Sequence, residues 1–386
     1  MQTQTGLERL IVQGNSALAK ARIGFVSQSA ATLPDFTHGL DALIAAGYKL
    51  TALFGPEHGF RGAAADGAEV ENTIDGKTGL PMYSLYGKTR EPSAEMLAEV
   101  DALVFDMQDV GVRFYTYLST LYYVLKSGGT LGKPVWVLDR PNPLGGIEVA
   151  GPCVEPGFES FVGILPLPIQ YGMTLGELAG WMNARLQPAA ELHVVSMSGW
   201  KRGLTFERTG LPWVPTSPGI PHLSTVRVYP GTCLVEGTNL SEGRGTALPF
   251  EMIGAPWLDG EALAEALNAK GLPGVRFRAV RFTPSASKHA GQVCAGIQIH
   301  LTKADDYRPI ETGLHLIAAC KQQAPEQFQF LSSSWEGHPA HFDLLTGSDV
   351  LRRQMESEMD IEKVIQHWLI SPAEFEQTRK QYLLYA

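Results

Sequence analysis

Carboxylates and arginines crowd into a few short polar segments of the 386-residue chain, several of which follow directly on an apolar run. The earliest is GPEHGFRG, Gly55–Gly62, with Glu57, His58 and Arg61. Pro56 fixes the backbone direction beside Glu57. A buried strand end there would desolvate the carboxyl and favour the protonated form that a general acid needs. The structural alternative is a solvated loop acid, or one paired with Arg61. His58 would orient Glu57 or bond a substrate hydroxyl, or be a plain loop histidine.

DMQDVGVRFYTY, Asp106–Tyr117, comes next. Asp106 and Asp109 are spaced i, i+3, so a helical turn would bring both carboxylates onto one face. One of them would serve as second catalytic carboxylate or base, as glycosidic cleavage requires. Asp109, two residues before Gly111, would otherwise bond loop amides. Arg61, Arg113 and Arg140 offer planar forks for a carboxylate or phosphate, or pair with these same aspartates. Tyr115 would stack on a sugar or join the core. DRPNPLGG, Asp139–Gly146, adds Arg140 and Asn142. A later segment, YPGTCLVEGTNLSEGRGTALPFE (Tyr229–Glu251), collects Glu236, Asn239, Glu242 and Arg244. It reads as too polar for core and too long for a turn.

Other chemistries lack their signatures. The chain has no GxxxxGK[ST] phosphate loop, no GxGxxG after its first strand and no GxSxG elbow. His338 and His341 form HxxH near Glu336, but in Pro/Gly-flanked sequence rather than a helical HExxH. No metal and no cofactor are expected. Cys153, Cys233, Cys294 and Cys320 lie far apart without a CxxC pair, which reads as buried thiols.

The positioning elements follow from hydrophobic pattern. Arg22–Ser27, Tyr48–Phe54, Pro81–Leu85, Ala102–Phe105, Pro134–Leu138 and Leu192–Ser196 read as short strands. Helices are expected at His38–Ala46, from Ser93, over Thr116–Lys126, and at Thr174–Arg185, where Thr174 and Glu177 form a capping box. This alternation predicts a mostly parallel α/β sheet covered on both faces, with ligands beyond its strand ends. Pro212, Pro215, Pro218 and Pro221 then interrupt regular structure and mark a boundary. Beyond it, Val293–Leu301 alternates as an antiparallel strand does, between helices at Glu261–Lys270 and Ile310–Cys320. Further helices are expected from Ser348, Asp360 and Ser371. The expected domains are 1–222, α/β and catalytic, and 223–386, a smaller α+β unit completing the cleft.

Composition agrees with a folded two-domain chain: 44% of residues are hydrophobic and 18% charged. Asp and Glu number 40 against 31 Lys and Arg, a formal charge of −9, which argues against nucleic acid or an anionic membrane as partner. No apolar run approaches the ~18 residues of a membrane span, so no membrane insertion is expected. The start shows no basic region followed by an apolar one, so a cytoplasmic location is expected, or a periplasmic or secreted one for a processed chain. Gly 41 and Pro 25 imply many shaped loops, the usual carriers of sites.

Taken together, FGPEHGFRG, DMQDVGVRFYTYLSTL, LDRPNPLGG, GMTLGELA, YPGTCLVEGTNLSEGRGT, HFDLLTGS and the closing YLLY resemble the NamZ family of bacterial exo-β-N-acetylmuramidases. The resemblance covers nearly the whole chain, in family order. It implies a Rossmann-like N-terminal domain, a smaller C-terminal domain and an active cleft between them. It also implies release of terminal N-acetylmuramic acid from the non-reducing end of peptidoglycan fragments. The glutamate of the family's PEHG motif falls on Glu57. The lactyl carboxylate of such a substrate would suit Arg61, Arg113 or Arg244. Two positions depart from the family pattern: Gly219, where an Asn is expected after Ser-Pro, and Tyr171, where a basic residue or histidine is expected before GMT. The alternatives are a non-catalytic binder of cell-wall sugars, and an amidase or esterase on the same material.

Overall fold

A computed structural model describes residues 2–62, 71–333, 337–357, 361–368, 370 and 372–386. The first half is built on a seven-stranded sheet. In chain order its strands are β1 (Arg22–Ser27), β2 (Lys49–Gly55), β3 (Thr73–Ile74), β4 (Pro81–Ser84), β5 (Ala102–Asp106), β6 (Val135–Leu138) and, after a two-stranded β7 (Ala150–Cys153) and β8 (Pro168–Gln170), β9 (Leu192–Val195). The spatial order is β3-β4-β2-β1-β5-β6-β9, all parallel except β3 against β4. The expected mixed α/β architecture with a mostly parallel sheet is thus observed.

Strand sequences explain the layering. Phe25, Leu53 and Val104 pack on one face with Leu7 and Leu10 of α1 (Gly6–Gln13) and Leu40 and Leu43 of α2 (Gly39–Ala45). Val26, Phe54, Leu103 and Phe105 pack on the other, with Leu118 and Leu121 of α3 (Tyr117–Leu131) and Leu178 and Met182 of α4 (Leu175–Asn183). Both faces are covered, so the strands are apolar throughout rather than alternating. The Thr174–Glu177 capping box starts α4 as expected. An equivalent box, Thr5 with Glu8, starts α1, a helix that the sequence reading missed. At Ser93 the expected helix stops at one turn. Its hydroxyl accepts from Met96 N at 3.3 Å, but the chain must enter β5 after Asp101, which pairs with Arg22 at the start of β1. One nucleated turn has no room to propagate.

The second half carries a three-stranded antiparallel sheet, β10 (Met252–Ala255), β12 (Cys294–Leu301) and β11 (Val275–Phe282), in the order β10-β12-β11. The alternation read over Val293–Leu301 holds in part. Ile297 and Ile299 are buried and His300 exposed, but Cys294 and Gly296 are buried too and Val293 is exposed. Helices α5 (Leu223–Thr232), α6 (Gly260–Ala269), α7 (Pro309–Gln323), α8 (His341–Thr346), α9 (Val350–Glu356), α10 (Ile361–Trp368) and α11 (Ala373–Arg379) complete it. The expected helix starts at Asp360 and Ser371 lie outside the described residues. Pro230 and Gly231 hide α5 from propensity reasoning. The glycine is needed because a Cβ there would come within 1.9 Å of Pro309 O on α7.

One apolar core runs from the first sheet into the second half, joining Phe105 to Ile253, Phe277 and Leu314. The carboxyl-terminal segment also returns to the first half. Tyr385 Oη donates to Asp139 Oδ2 at 2.5 Å, and Arg379 Nη1 donates to Gly172 O at 2.6 Å.

Candidate active site

The strand order reverses at β1, whose neighbours are β2 and β5, and open parallel sheets usually bind ligands there. In this chain that crevice is filled. Arg140 Nε and Nη2 donate to Asp106 Oδ1 and Oδ2 at 2.5 and 3.0 Å, and Arg140 Nη1 reaches Thr32 O at 3.1 Å. Both residues are buried, so the pair anchors the loops after β1, β5 and β6 and does not meet solvent.

The large cavity lies beside it, about 710 Å³, with walls from both halves of the chain. The first half contributes Glu57, His58 and the run Phe114–Tyr117; the proline-rich connection contributes Ser217–Ile220; the second half contributes Tyr229, Glu236, Glu242, Arg244, Lys288 and His341.

Glu57 is carried by a turn immediately after β2, closed by Gly59 N donating to Pro56 O at 2.9 Å. His58, the third residue of that turn, has φ 69°. A non-glycine residue held there costs about 1–2 kcal/mol, and such strain concentrates at functional sites. Phe60 anchors the far side, packed edge-on against His38 and Phe25. Thr116, at the start of α3, donates to Glu57 Oε2 at 2.8 Å.

Aromatic rings form the floor. Tyr229 meets Phe114, Tyr115 and Phe250 edge to face, and Tyr115 Oη donates to Thr216 Oγ1 at 2.8 Å. Against them lies a charged group. Arg244 sits over the Phe250 ring, 4.9 Å from its centroid, and donates through Nε to Glu236 Oε1 at 2.9 Å. Lys288 reaches Glu242 at 3.0 Å. Burial pushes the Glu236 carboxyl up, but Arg244, His341 and Lys288 outweigh it and hold Glu236 below its ordinary value. Burial lowers His341, partly offset by Glu236. Glu236 therefore stays ionised near pH 7.

Of the residues singled out from sequence, Glu57, His58, Tyr115, Gly219, Glu236, Glu242, Arg244 and His341 line this cavity. The others do not. Asp109 is buried behind it, where Oδ2 accepts from Gly111 N at 2.9 Å and from the Tyr171 hydroxyl. The amide-bonding alternative describes that aspartate. Arg113 is wholly buried and gives its protons to Pro152 O, Leu167 O and Leu345 O. Arg61 pairs with Asp75 at 2.8 Å. Asn142 braces Met173 O and Leu144 N, and Asn239 bonds Gln327 O and Gln329 N. All of these are loop supports. Polar residues in Gly-rich loops serve as ligand groups or as braces, and sequence spacing does not distinguish the two. Thr116 and Lys288 were missed, because nothing in their local sequence marks them, and Gly219 was marked only as a departure from the family pattern. His341 stood out only in the HxxH pattern, whose neighbour Glu336 lies outside the described residues.

Comparison with known proteins fits this arrangement. Residues 23–224 match the family profile described as exo-β-N-acetylmuramidase NamZ, N-terminal, and residues 227–385 its C-terminal counterpart. The chain belongs to the NamZ family. It is 46% identical over 383 residues to the peptidoglycan β-N-acetylmuramidase NamZ of Bacillus subtilis, covering 99% of this chain and 91% of that protein. Two crystal structures of DUF1343 family proteins from Bacteroides fragilis superpose over the full chain and 99% of their own. Their TM-scores are 0.90 and 0.80, at 35% and 29% identity. The NamZ motifs thus divide in two: PEHG and FYTY reach the cavity, whereas DMQD and DRPN brace the loops behind it.

Proposed function

We propose that the protein is an exo-acting glycosidase that releases β-linked N-acetylmuramic acid from the non-reducing end of peptidoglycan fragments. Family membership supports the activity. The observation that carries the site is Glu57, held in a cavity that both halves of the chain build. In this reading Glu57 is the general acid and protonates the glycosidic oxygen of the leaving sugar. Glycosidic cleavage calls for a second carboxylate. The carboxylates lining the cavity among the described residues are Glu57, Glu236 and Glu242. The Glu242 side chain is 2% exposed and that of Glu236 22%, so Glu236 is the accessible one. It supplies fixed negative charge against the oxocarbenium-like transition state. Asp106 and Asp109, behind the cavity wall, are not assigned that part.

Substrate recognition follows from elimination among the arginines. Arg113 is spent on three carbonyls and Arg61, paired with Asp75, lies off the cavity lining, whereas Arg244, paired with Glu236, lines the cavity on an aromatic support. Arg244 is the group matched to the lactyl carboxylate. Tyr115 and Tyr229 present rings to the sugar faces.

The test is incubation with a chromogenic β-N-acetylmuraminide and with a muramyl-terminated disaccharide, followed by product analysis. Free N-acetylmuramic acid supports the reading. Tight binding without turnover, or free peptide in place of free sugar, contradicts it.

A further inference from the structure

We propose that Thr116 is a positioning residue for Glu57, orienting its carboxyl through the hydrogen bond to Oε2. This rests on the reading of Glu57 as general acid. Thr116 occupies the N-cap position of α3, where a threonine hydroxyl ordinarily accepts from an amide of the first helical turn. Here the side chain makes no capping bond, and its hydroxyl instead donates to Glu57 Oε2 at 2.8 Å. Thr116 has helical backbone angles, φ −64° and ψ −12°, so its hydroxyl does not cap the helix and its proton is committed to one carboxylate oxygen.

The surroundings make that hydroxyl a fixed point. Its two neighbours are both tied to Thr216: Tyr115 Oη to the side-chain oxygen at 2.8 Å, Tyr117 Oη to the carbonyl at 2.7 Å. Their rings meet edge to face at 4.7 Å. The Thr116 carbonyl accepts from Thr120 N at 3.0 Å and from Thr120 Oγ1 at 3.2 Å. Branching at Cβ restricts what torsional freedom remains. Glu57, by contrast, reaches the cavity on a long side chain from a turn. A general acid must meet the glycosidic oxygen within a narrow geometry, so a rigid donor gripping one oxygen restricts the carboxyl to productive orientations.

The test compares Thr116→Val, which keeps the branched shape, Thr116→Ser, which keeps the hydroxyl, and Glu57→Gln, all in the full chain. Thr116→Val is expected to lose kcat roughly ten- to a hundredfold while KM stays within about twofold, since the lost bond orients the carboxyl for proton transfer and not for substrate binding. Thr116→Ser is expected to keep most of the wild-type kcat. Should Thr116→Val fail to fold, Thr116→Ala takes its place against Thr116→Ser. Wild-type kcat in the variant without the hydroxyl, or equal losses with and without it, overturns the proposal. Those results, beside an inactive Glu57→Gln, leave the general acid in place. An active Glu57→Gln removes the general acid itself and this proposal with it.

Discussion

Arg244 fills the space that a side chain at position 219 would need: a Cβ built on Gly219 lies 2.7 Å from Arg244 Nη1. Both residues line the cavity, and Gly219 is one of the two positions where the chain departs from the NamZ pattern. The contact is with the end of a flexible side chain. Gly219→Ala is therefore expected to fold normally and to displace the guanidinium proposed to read the substrate carboxylate. Its KM should rise about fivefold, equivalent to about 1 kcal/mol, with little change in kcat. Steady-state kinetics on the chromogenic muraminide checks this, and an unchanged KM would remove Arg244 from recognition.

Arg113 stands as the contrary case, an arginine of a family motif with no access to substrate. Its guanidinium joins carbonyls of Pro152 and Leu167 to that of Leu345, from α8 of the second half. Burial pushes it down to about 9. Arg113→Met would leave three carbonyls without their donor and is expected to cost about 3 kcal/mol or more in stability. Urea denaturation measures the loss. A variant of native stability with a raised KM would return Arg113 to the binding site.

Burial raises Asp109 to about 6, opposed by the Tyr171 hydroxyl and the amides of Gly111 and Val110. A carboxyl whose folded-state value lies above the unfolded one favours folding below the unfolded value, about 3.9, and loses that contribution as pH rises through about 6. Two units correspond to roughly 2–3 kcal/mol. Asp109 Oδ1 has no hydrogen-bond partner among the described residues, which is consistent with a proton residing there. Relative to Asp109→Asn, the wild type should gain stability on going from pH 7 to pH 4.5. Paired denaturation curves at the two values check it; an equal gap at both contradicts the buried titration.

Much of the fold was legible because burial on both sheet faces leaves uninterrupted apolar strands, and because Thr174 with Glu177 announces a helix start. Thr5 with Glu8 carries the same announcement and was readable by the same rule. The single turn after Ser93 was not, since its length is set by where β5 must begin. The site was legible in part. Glu57 stands out because a strand, a proline and a histidine frame it. Arg140 and Asp106 carry the same chemical types on the same rim, and only their mutual contact shows that they neutralise each other. Thr116 and Gly219 act through what they touch across the fold, and local spacing holds no record of that.

The central claim is that Glu57 performs general acid catalysis on a muramyl glycoside, and the direct measurement is single-turnover release of N-acetylmuramic acid by wild type and Glu57→Gln. The amide is close in shape but has no acidic proton to give. Wild type should release the free sugar, and the variant should fall on the order of a hundred- to ten-thousandfold while still binding substrate. Release by Glu57→Gln at the wild-type rate would contradict the assignment.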